Sequence, residues 1–571
     1  VVAQAAESRA CAWSASTVDS AVSLSSLNLQ DIIPARSTLR IEFRVATGGD
    51  KLRFKFSNEY GAAAITINAA GVARTDGEGS AKIKYGTMAT IMFDGNPKVT
   101  IEAGETIWSD PIKYPTNAHD RLSVSMYFAN PTYITSAGLA NARTFMSMDS
   151  LVNPVYSQVY NESLVRAREI KLGSADITYH TTPFLCQVDT YSSTQTKNTA
   201  VFIGDSTLVN DTSFYFSERL VKSGITNISV VNQAVVANKL LSDGTGLIGN
   251  LYGDALIDRF ERDALSVSGV KWIFVKIGLN DILHQFSNSM GADVPHYSAQ
   301  DIIKGYEKLV ERAHAKGIKI YFFTKTPWKG YERAFLGQTG DIIWTRQMQD
   351  MCDELDRWIK TTNKIDGYID CSPLANPADP NAMCPSFTPD GAHLTDIASI
   401  ALADLIPVSF VGASESAVKT SAAIHNVDPY KEKNQIIYDM EHPTEPTTAA
   451  KPGEDSGEEK TTAKNDEATT KAEVTTLYGE STTVAGDTST TMPQFNYVAG
   501  ENVTVPVIGE MNQTQKYNGI GVGPDYSVLD NLPVSKQSGS TILFVLILFT
   551  VITIGGAALF ISLGRKKGTD F

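Results

Sequence analysis

The sequence predicts an α/β domain with a parallel sheet covered by helices on both faces. An antiparallel β-sandwich of jelly-roll type precedes it, and a polar stalk and one membrane-spanning helix follow. Three observations carry this expectation. Polar and apolar residues alternate with period two from about residue 12 to 190. Short apolar runs then alternate with helical patterns from 198 to 411, and Thr541–Leu563 is an uninterrupted uncharged stretch. At 571 residues the chain is long enough for two to four domains at roughly 100–200 residues each.

In the first region, TLRIEFRV sets Leu39, Ile41, Phe43 and Val45 against Arg40, Glu42 and Arg44, and KLRFKF, AITINAAGV, MATIMF, KVTIEA and LSVSMYF continue in that style. Gly, Asn, Asp and Pro punctuate these runs at short intervals, as half-buried antiparallel strands require. After residue 197 the runs at 200–203, 228–232, 270–277, 318–324 and 367–370 read as buried strands separated by helices. In Asp301–Lys316, Ile302, Tyr306, Leu309, Val310 and Ala313 form one apolar stripe that Gly317 ends. Alternating β and α elements imply a parallel sheet, whose function collects at the carboxyl ends of its strands.

From 426 to 536 the chain is rich in Thr, Glu, Lys and Pro and poor in aliphatic residues. It cannot bury enough apolar surface to offset its conformational entropy, so a disordered stalk is expected. Thr541–Leu563 would be about 34 Å long as a helix, enough for a hydrocarbon core of ~30 Å. Arg565, Lys566 and Lys567 follow at once, which places the tail 564–571 in the cytoplasm and everything before residue 540 outside the cell. At the other end, segment 1–11 opens with VVAQA, which reads as the last piece of a signal peptide, with Ala6 the mature start. The five cysteines fit an oxidising compartment without demanding it; the expected pairs are Cys11 with Cys186 and Cys371 with Cys384, leaving Cys352 single. The formal charge of −14 argues against nucleic acid as a partner, since phosphate-backbone binding needs a basic face.

The chemistry centres on NTAVFIGDSTLVNDTSF, where the first strand of the α/β region ends in Gly204-Asp205-Ser206. A serine at a strand-to-helix junction exposes its hydroxyl at the sheet edge, with its own N–H at a helix start that favours developing negative charge. Gly-Asp-Ser is also a common turn tripeptide. In VKIGLNDI, Asn280 lies just past the third strand and offers an amide to the same crevice, or simply satisfies its own loop. TPDGAHLTD then places Asp390 and His393 three residues apart before the last helix, as a carboxylate beside an imidazole or as surface loop residues.

In this order the blocks resemble those of the SGNH/GDSL hydrolases: Gly204-Asp205-Ser206, VNQAVVANKLL at 231–241, Gly278-Leu279-Asn280-Asp281 and Asp390-Gly391-Ala392-His393. The resemblance covers roughly residues 198–411 and is similar to the extracellular bacterial branch that carries a β-sandwich ahead of the hydrolase domain, here 12–190. It implies a three-layer, flavodoxin-like hydrolase and acyl transfer from an ester. Ser206 would attack the carbonyl, His393 would move its proton and Asp390 would fix the imidazole tautomer. The Ser206 N–H, the Ala237 N–H and the Asn280 amide would form the oxyanion hole. Asp205 and Asp281 are read as positioning residues. Two positions depart from the family pattern: Ala237 stands where glycine is usual, and Leu394 where proline is common.

The expected activity is that of a cell-surface serine esterase removing O-acyl groups, acetyl first among them, from carbohydrate, anchored to the membrane by its single C-terminal helix. The alternative is an impaired hydrolase scaffold that binds glycan or acts as an adhesin, motivated by Ala237. No cofactor is called for, and the other histidines show no metal-ligand spacing. Among them His284 lines the pocket or lies on the surface. Trp328, Tyr331 and Trp344 wall a substrate cleft or belong to the core. The sandwich binds glycan or buttresses the hydrolase. The segment LPVSK at 532–536 is similar to cell-wall sorting signals, with Ser535 and Lys536 where those have threonine and glycine, so a retained membrane anchor is preferred.

Overall fold

The computed structural model describes residues 7–20, 32–140, 142–147, 166–167, 169–171, 178–245, 249–287, 294–331 and 344–443. The expected signal-peptide remnant VVAQA at 1–5, the stalk beyond 443 and the span at 541–563 lie outside these residues, whereas the first part of the expected stalk is not disordered but carries a helix, Lys431–Glu441. All described residues fall in one compact unit. Among them, no helix is long and apolar enough to cross a membrane.

The first half is antiparallel. Strand β1 (Ser8–Ser14), β2 (Ser37–Arg44), β3 (Gly49–Ser57), β4 (Ala69–Arg74), β5 (Arg121–Phe128), β6 (Ala142–Ser147) and β7 (Leu185–Ser192) supply its two main sheets. One sheet runs β1-β7-β3, and the other has β6-β2-β5-β4 side by side. Their alternating apolar residues meet in one core that includes Leu39, Ile41, Phe43, Phe54, Phe56, Val124, Met126 and Val188. The opposite face of β2 is not solvated, as a simple alternation implies. Arg40 and Glu42 are 0% and 2% exposed. The segment around Ala81 crosses them: Arg40 donates to the Ala81 carbonyl (2.7 Å) and to Ser125 Oγ (2.7 Å), and Arg121 pairs with Glu42 at 2.5 Å.

The second half is a parallel sheet of β8 (Asn198–Gly204), β9 (Ile228–Asn232), β10 (Val270–Lys276), β11 (Lys319–Phe323) and β12 (Gly367–Ile369), ordered β9-β8-β10-β11-β12. Successive residues of each strand point to opposite faces, and both faces are dry. Val201, Ile203, Ile273, Val275, Ile320 and Phe322 pack with Ile302, Tyr306, Leu309 and Leu355 on one side. Ala200, Phe202, Phe274, Tyr321 and Phe323 pack with Phe216, Leu220, Ala398 and Leu402 on the other. Helices α1 (Thr212–Lys222), α2 (Leu256–Phe260), α3 (Leu279–Leu283), α4 (Ala299–Ala315), α5 (Arg346–Thr361) and α6 (Asp396–Asp404) cover the sheet. The start of α4 follows from a capping box between Ser298 and Asp301, and its stop from Gly317 at φ +67°.

The expected disulfides are absent: all five cysteines are free. Cys11 is in register with Asp189 rather than Cys186 across the β1–β7 pair. Its thiol donates to the Trp13 carbonyl at 3.2 Å, and that of Cys384 to the Ala375 carbonyl at 3.4 Å.

Candidate active site

Strand β8 ends where only glycine fits, because a Cβ on Gly204 would lie 1.9 Å from the Lys276 carbonyl oxygen. Asp205 then caps a short turn, Ser206–Leu208; its carboxylate accepts from Thr207 N (2.9 Å) and Thr207 Oγ1 (2.7 Å). This turn holds Ser206 at the carboxyl edge of the sheet, 9% exposed. Below it, the buried Lys276 ammonium donates to Thr207 Oγ1 (2.6 Å) and Thr326 Oγ1 (3.2 Å). Burial lowers the Lys276 pKa.

The loop ahead of α6 brings the second component. The Asp390 carboxylate accepts from the backbone of Ala392 (3.0 Å) and His393 (2.9 Å), which folds the four-residue motif into one turn. Gly391, at φ +92°, is required there: a Cβ would meet the backbone of Gly330 and Tyr331 at 2.6 Å. The imidazole then spans two partners. Its Nδ1 is 2.6 Å from Asp390 Oδ2 and its Nε2 is 2.9 Å from Ser206 Oγ. With Nδ1–H donated to the carboxylate, Nε2 is left as acceptor for the serine hydroxyl. Burial works against charge on Asp390. The hydrogen bond and charge of His393, helped by the two backbone N–H groups, outweigh it and hold the carboxyl down at about 2. Tyr331 stands edge-on to His393, with ring centroids 5.8 Å apart.

The third component is the loop after β9. Val235 N donates to the Gly204 carbonyl (3.0 Å), tying this loop to the end of the serine strand. Asp281 accepts from Leu240 N (2.8 Å) and Leu241 N (3.0 Å), and burial pushes its carboxyl up to about 6 despite those bonds. The Asn280 amide spends one N–H on the Asn238 carbonyl at 3.1 Å, and its second has no acceptor among the described residues. Asp205 and Asp281 thus hold backbone, as the positioning reading expects. Ala237 itself adopts φ +57°, so alanine here occupies the left-handed region that glycine adopts more readily. Neither the Ser206 nor the Ala237 N–H is taken by an acceptor among the described residues. Val236, Ala237, Tyr252 and Val294 form a small apolar cluster beside this loop, packed against Leu139 and Val209.

His284 is buried beside Tyr252 and is not a surface residue. Trp328 is 1% exposed and belongs to the core. Trp344 donates to Gln349 Oε1 (3.1 Å) and packs, partly buried, against the same core as Trp328, while Tyr331 meets the His393 ring. Sequence reasoning missed Lys276, although a lysine inside an apolar strand is a signal in itself. It also missed Arg259. This buried guanidinium donates to the Gly204 carbonyl (3.0 Å), the Gln233 carbonyl (2.9 Å), Asn238 Oδ1 (3.0 Å) and Ser16 Oγ (3.1 Å), joining the serine strand, the Ala237 loop and the antiparallel region. No pattern in LIDRF announces it. Among the described residues, no group of three or more His, Cys, Asp or Glu gathers as a metal site would.

Residues 192–406 match the model of the GDSL-like lipase/acylhydrolase family. No curated protein of similar sequence was found. Among solved structures the chain is similar to the acetyl xylan esterase AlAXEase, at 20% identity over 36% of this chain and 96% of that one, TM-score 0.27. It is also similar to Axe2, an acetylxylan esterase from Geobacillus stearothermophilus (18% identity, 39% and 97% covered, TM-score 0.28). A third is a GDSL-like lipase from Bacteroides thetaiotaomicron (17% identity, 38% and 89% covered, TM-score 0.26). Residues 192–406 therefore form a GDSL-like lipase/acylhydrolase domain, and the protein carries an ester hydrolase of that family.

Proposed function

We propose that the protein is a cell-surface serine esterase that removes O-acyl groups, acetyl foremost, from carbohydrate through an acyl-enzyme. The observation that carries this reading is the imidazole of His393 set between Ser206 Oγ at 2.9 Å and Asp390 Oδ2 at 2.6 Å. In the first step Ser206 Oγ bonds to the ester carbonyl carbon while its proton passes to His393 Nε2. Asp390 keeps Nδ1–H in place and stabilises the imidazolium. The oxyanion is met by the N–H groups of Ser206 and Ala237 and by the free N–H of Asn280. When the tetrahedral intermediate collapses, His393 returns the proton to the leaving alcohol. Water then repeats the sequence on the acyl-serine and releases the acid.

The surface location rests on the sequence alone: Thr541–Leu563 is the anchor, the basic triplet behind it lies inside the cell, and the polar stalk carries the hydrolase outward. Co-sedimentation with membranes, lost when the chain is stopped ahead of residue 538, checks the anchor.

The catalytic reading is tested with p-nitrophenyl acetate. The purified protein releases p-nitrophenol, and Ser206→Ala, matched for folding by its thermal melt, loses at least ~10³-fold in kcat. Equal release by both proteins removes the esterase reading.

A further inference from the structure

We propose that the cleft between the antiparallel region and the hydrolase domain binds the uncharged carbohydrate chain that bears the ester, so that both halves of the molecule build the substrate site. This deepens the esterase reading and rests on it. The cleft is a cavity of about 560 Å³, within the ~300–1,000 Å³ usual for ligand sites. The edge strand β9 lines one side and α1 another, and the antiparallel region closes it with Trp13, Arg44, His119 and Leu139.

Its walls adjoin the three loops of the candidate site. Val209 is the residue after the Ser206 turn, Pro389 precedes Asp390 and Leu394 follows His393, and all three line the cleft. Leu139 and Val209 also pack against the apolar cluster around Ala237. The cleft thus borders the turn that carries Ser206 and the loop that carries His393, and a chain bound in it is placed to present its ester to them.

The lining chemistry selects the ligand. Arg44, Phe214 and His119 form a wall of planar groups, with the guanidinium 4.1 Å above the Phe214 ring and the imidazole 5.4 Å from it. Flat faces of this kind meet the apolar faces of sugar rings, while Asn210, Asn232, Ser213 and Thr395 supply hydrogen-bonding groups around them. The cleft carries no surplus positive charge. Arg44 pairs with Glu78 at 3.4 Å, Arg121 pairs with Glu42, and Asp211 and Asp396 add carboxylates. Burial, and then the charge of Arg44, depress the His119 pKa to about 4, so its ring is neutral at pH 7. A polyanionic chain meets repulsion here, and a neutral polyol does not.

The test compares p-nitrophenyl acetate with partially acetylated cello-oligosaccharide and partially acetylated polygalacturonate, in the wild-type protein and in the Phe214→Ala and Arg44→Ala variants. The expected result is that each variant loses at least ten-fold more kcat/KM on the neutral oligosaccharide than on p-nitrophenyl acetate. The wild type also prefers the neutral to the acidic polymer by ten-fold or more. Calorimetry with deacetylated cello-oligosaccharide on the Ser206→Ala protein gives a second measurement independent of turnover, with binding expected and its loss on adding Phe214→Ala. Equal losses on both neutral substrates, no preference against the acidic polymer, or no calorimetric binding overturns the cleft assignment. A wild type inert on p-nitrophenyl acetate that still binds the oligosaccharide overturns the catalytic reading and leaves the cleft standing.

Discussion

Ala237 and Asp390 show how much one residue's surroundings decide. A side chain in the left-handed region costs roughly 1–2 kcal/mol, and Ala237 sits there at φ +57° because its loop is fixed on both sides: by Val235 to Gly204, and by Leu240 and Leu241 to Asp281. Ala237→Gly relieves that strain but adds unfolded-chain freedom worth ~0.4–1 kcal/mol, so a net gain between zero and about 1.6 kcal/mol is expected in thermal or urea melts. The N–H is unchanged, so kcat on p-nitrophenyl acetate stays within about three-fold. A hundred-fold rise in kcat instead means that alanine had been costing the oxyanion hole a donor. For Asp390 the sign follows from its lowered pKa. With the folded value held down at about 2 against ~3.9 unfolded, the ionised form is favoured by folding. Its contribution is complete above pH ~5 and is lost as pH falls toward 2. Allowing for its partial exposure, about 2 kcal/mol more acid destabilisation is expected in the wild type than in Asp390→Asn between pH 5 and 2. Parallel pH–stability curves for the two proteins remove the assignment.

At the scale of elements, legibility follows the range of the interactions that make each feature. The strand runs at 200–203, 228–232, 270–277, 318–324 and 367–370 fall on β8 to β12, since strands buried on both faces are nearly continuous apolar runs. The stripe in 301–316 falls on α4, whose capping box begins it three residues earlier, at Ser298. The turn that folds Asp390 onto the His393 backbone is equally local, four residues and one carboxylate. Alternation in β2 identified its core face correctly. It was silent about the other face, where Arg40 and Glu42 are covered by a loop that only tertiary structure supplies. The expected pairing of Cys11 with Cys186 failed for a related reason. A disulfide needs two Cα positions within about 7 Å and suitably directed side chains, and register in the β1–β7 pair sets Asp189 opposite Cys11. Least legible was the buried polar network, because Arg259 reaches Ser16 across 243 residues and no local pattern encodes such a partner.

That network makes the described molecule one cooperative body. Strand β1 is bound to the hydrolase through backbone and hydroxyl groups alike. Cys11 N donates to the Ser268 carbonyl (2.9 Å), and Ser229 Oγ donates to the Cys11 carbonyl (2.5 Å). Arg262 pairs with Glu59 (2.9 Å), and Ser16 Oγ donates to Asp263 (3.0 Å) beside the buried Arg259. Removing the antiparallel region leaves these groups without partners, at ~1–3 kcal/mol for each neutral group that stays buried and more for the charged ones. The sum approaches the ~5–15 kcal/mol that stabilises a domain. Residues 193–443 alone are therefore expected to be unfolded or aggregated, whereas 7–443 melts in a single transition by calorimetry. A subtler probe is Gly269, at φ +73°, where a Cβ would meet the Arg9 carbonyl at 2.7 Å. Gly269→Ala in 7–443 combines left-handed strain with a wedge at the joint, and should lower stability by roughly 2–3 kcal/mol. If the fragment 193–443 folds with undiminished activity, or 7–443 melts in two separate steps, the two halves are independent. Arg259 would then be a local brace of the site and not a joint between the halves.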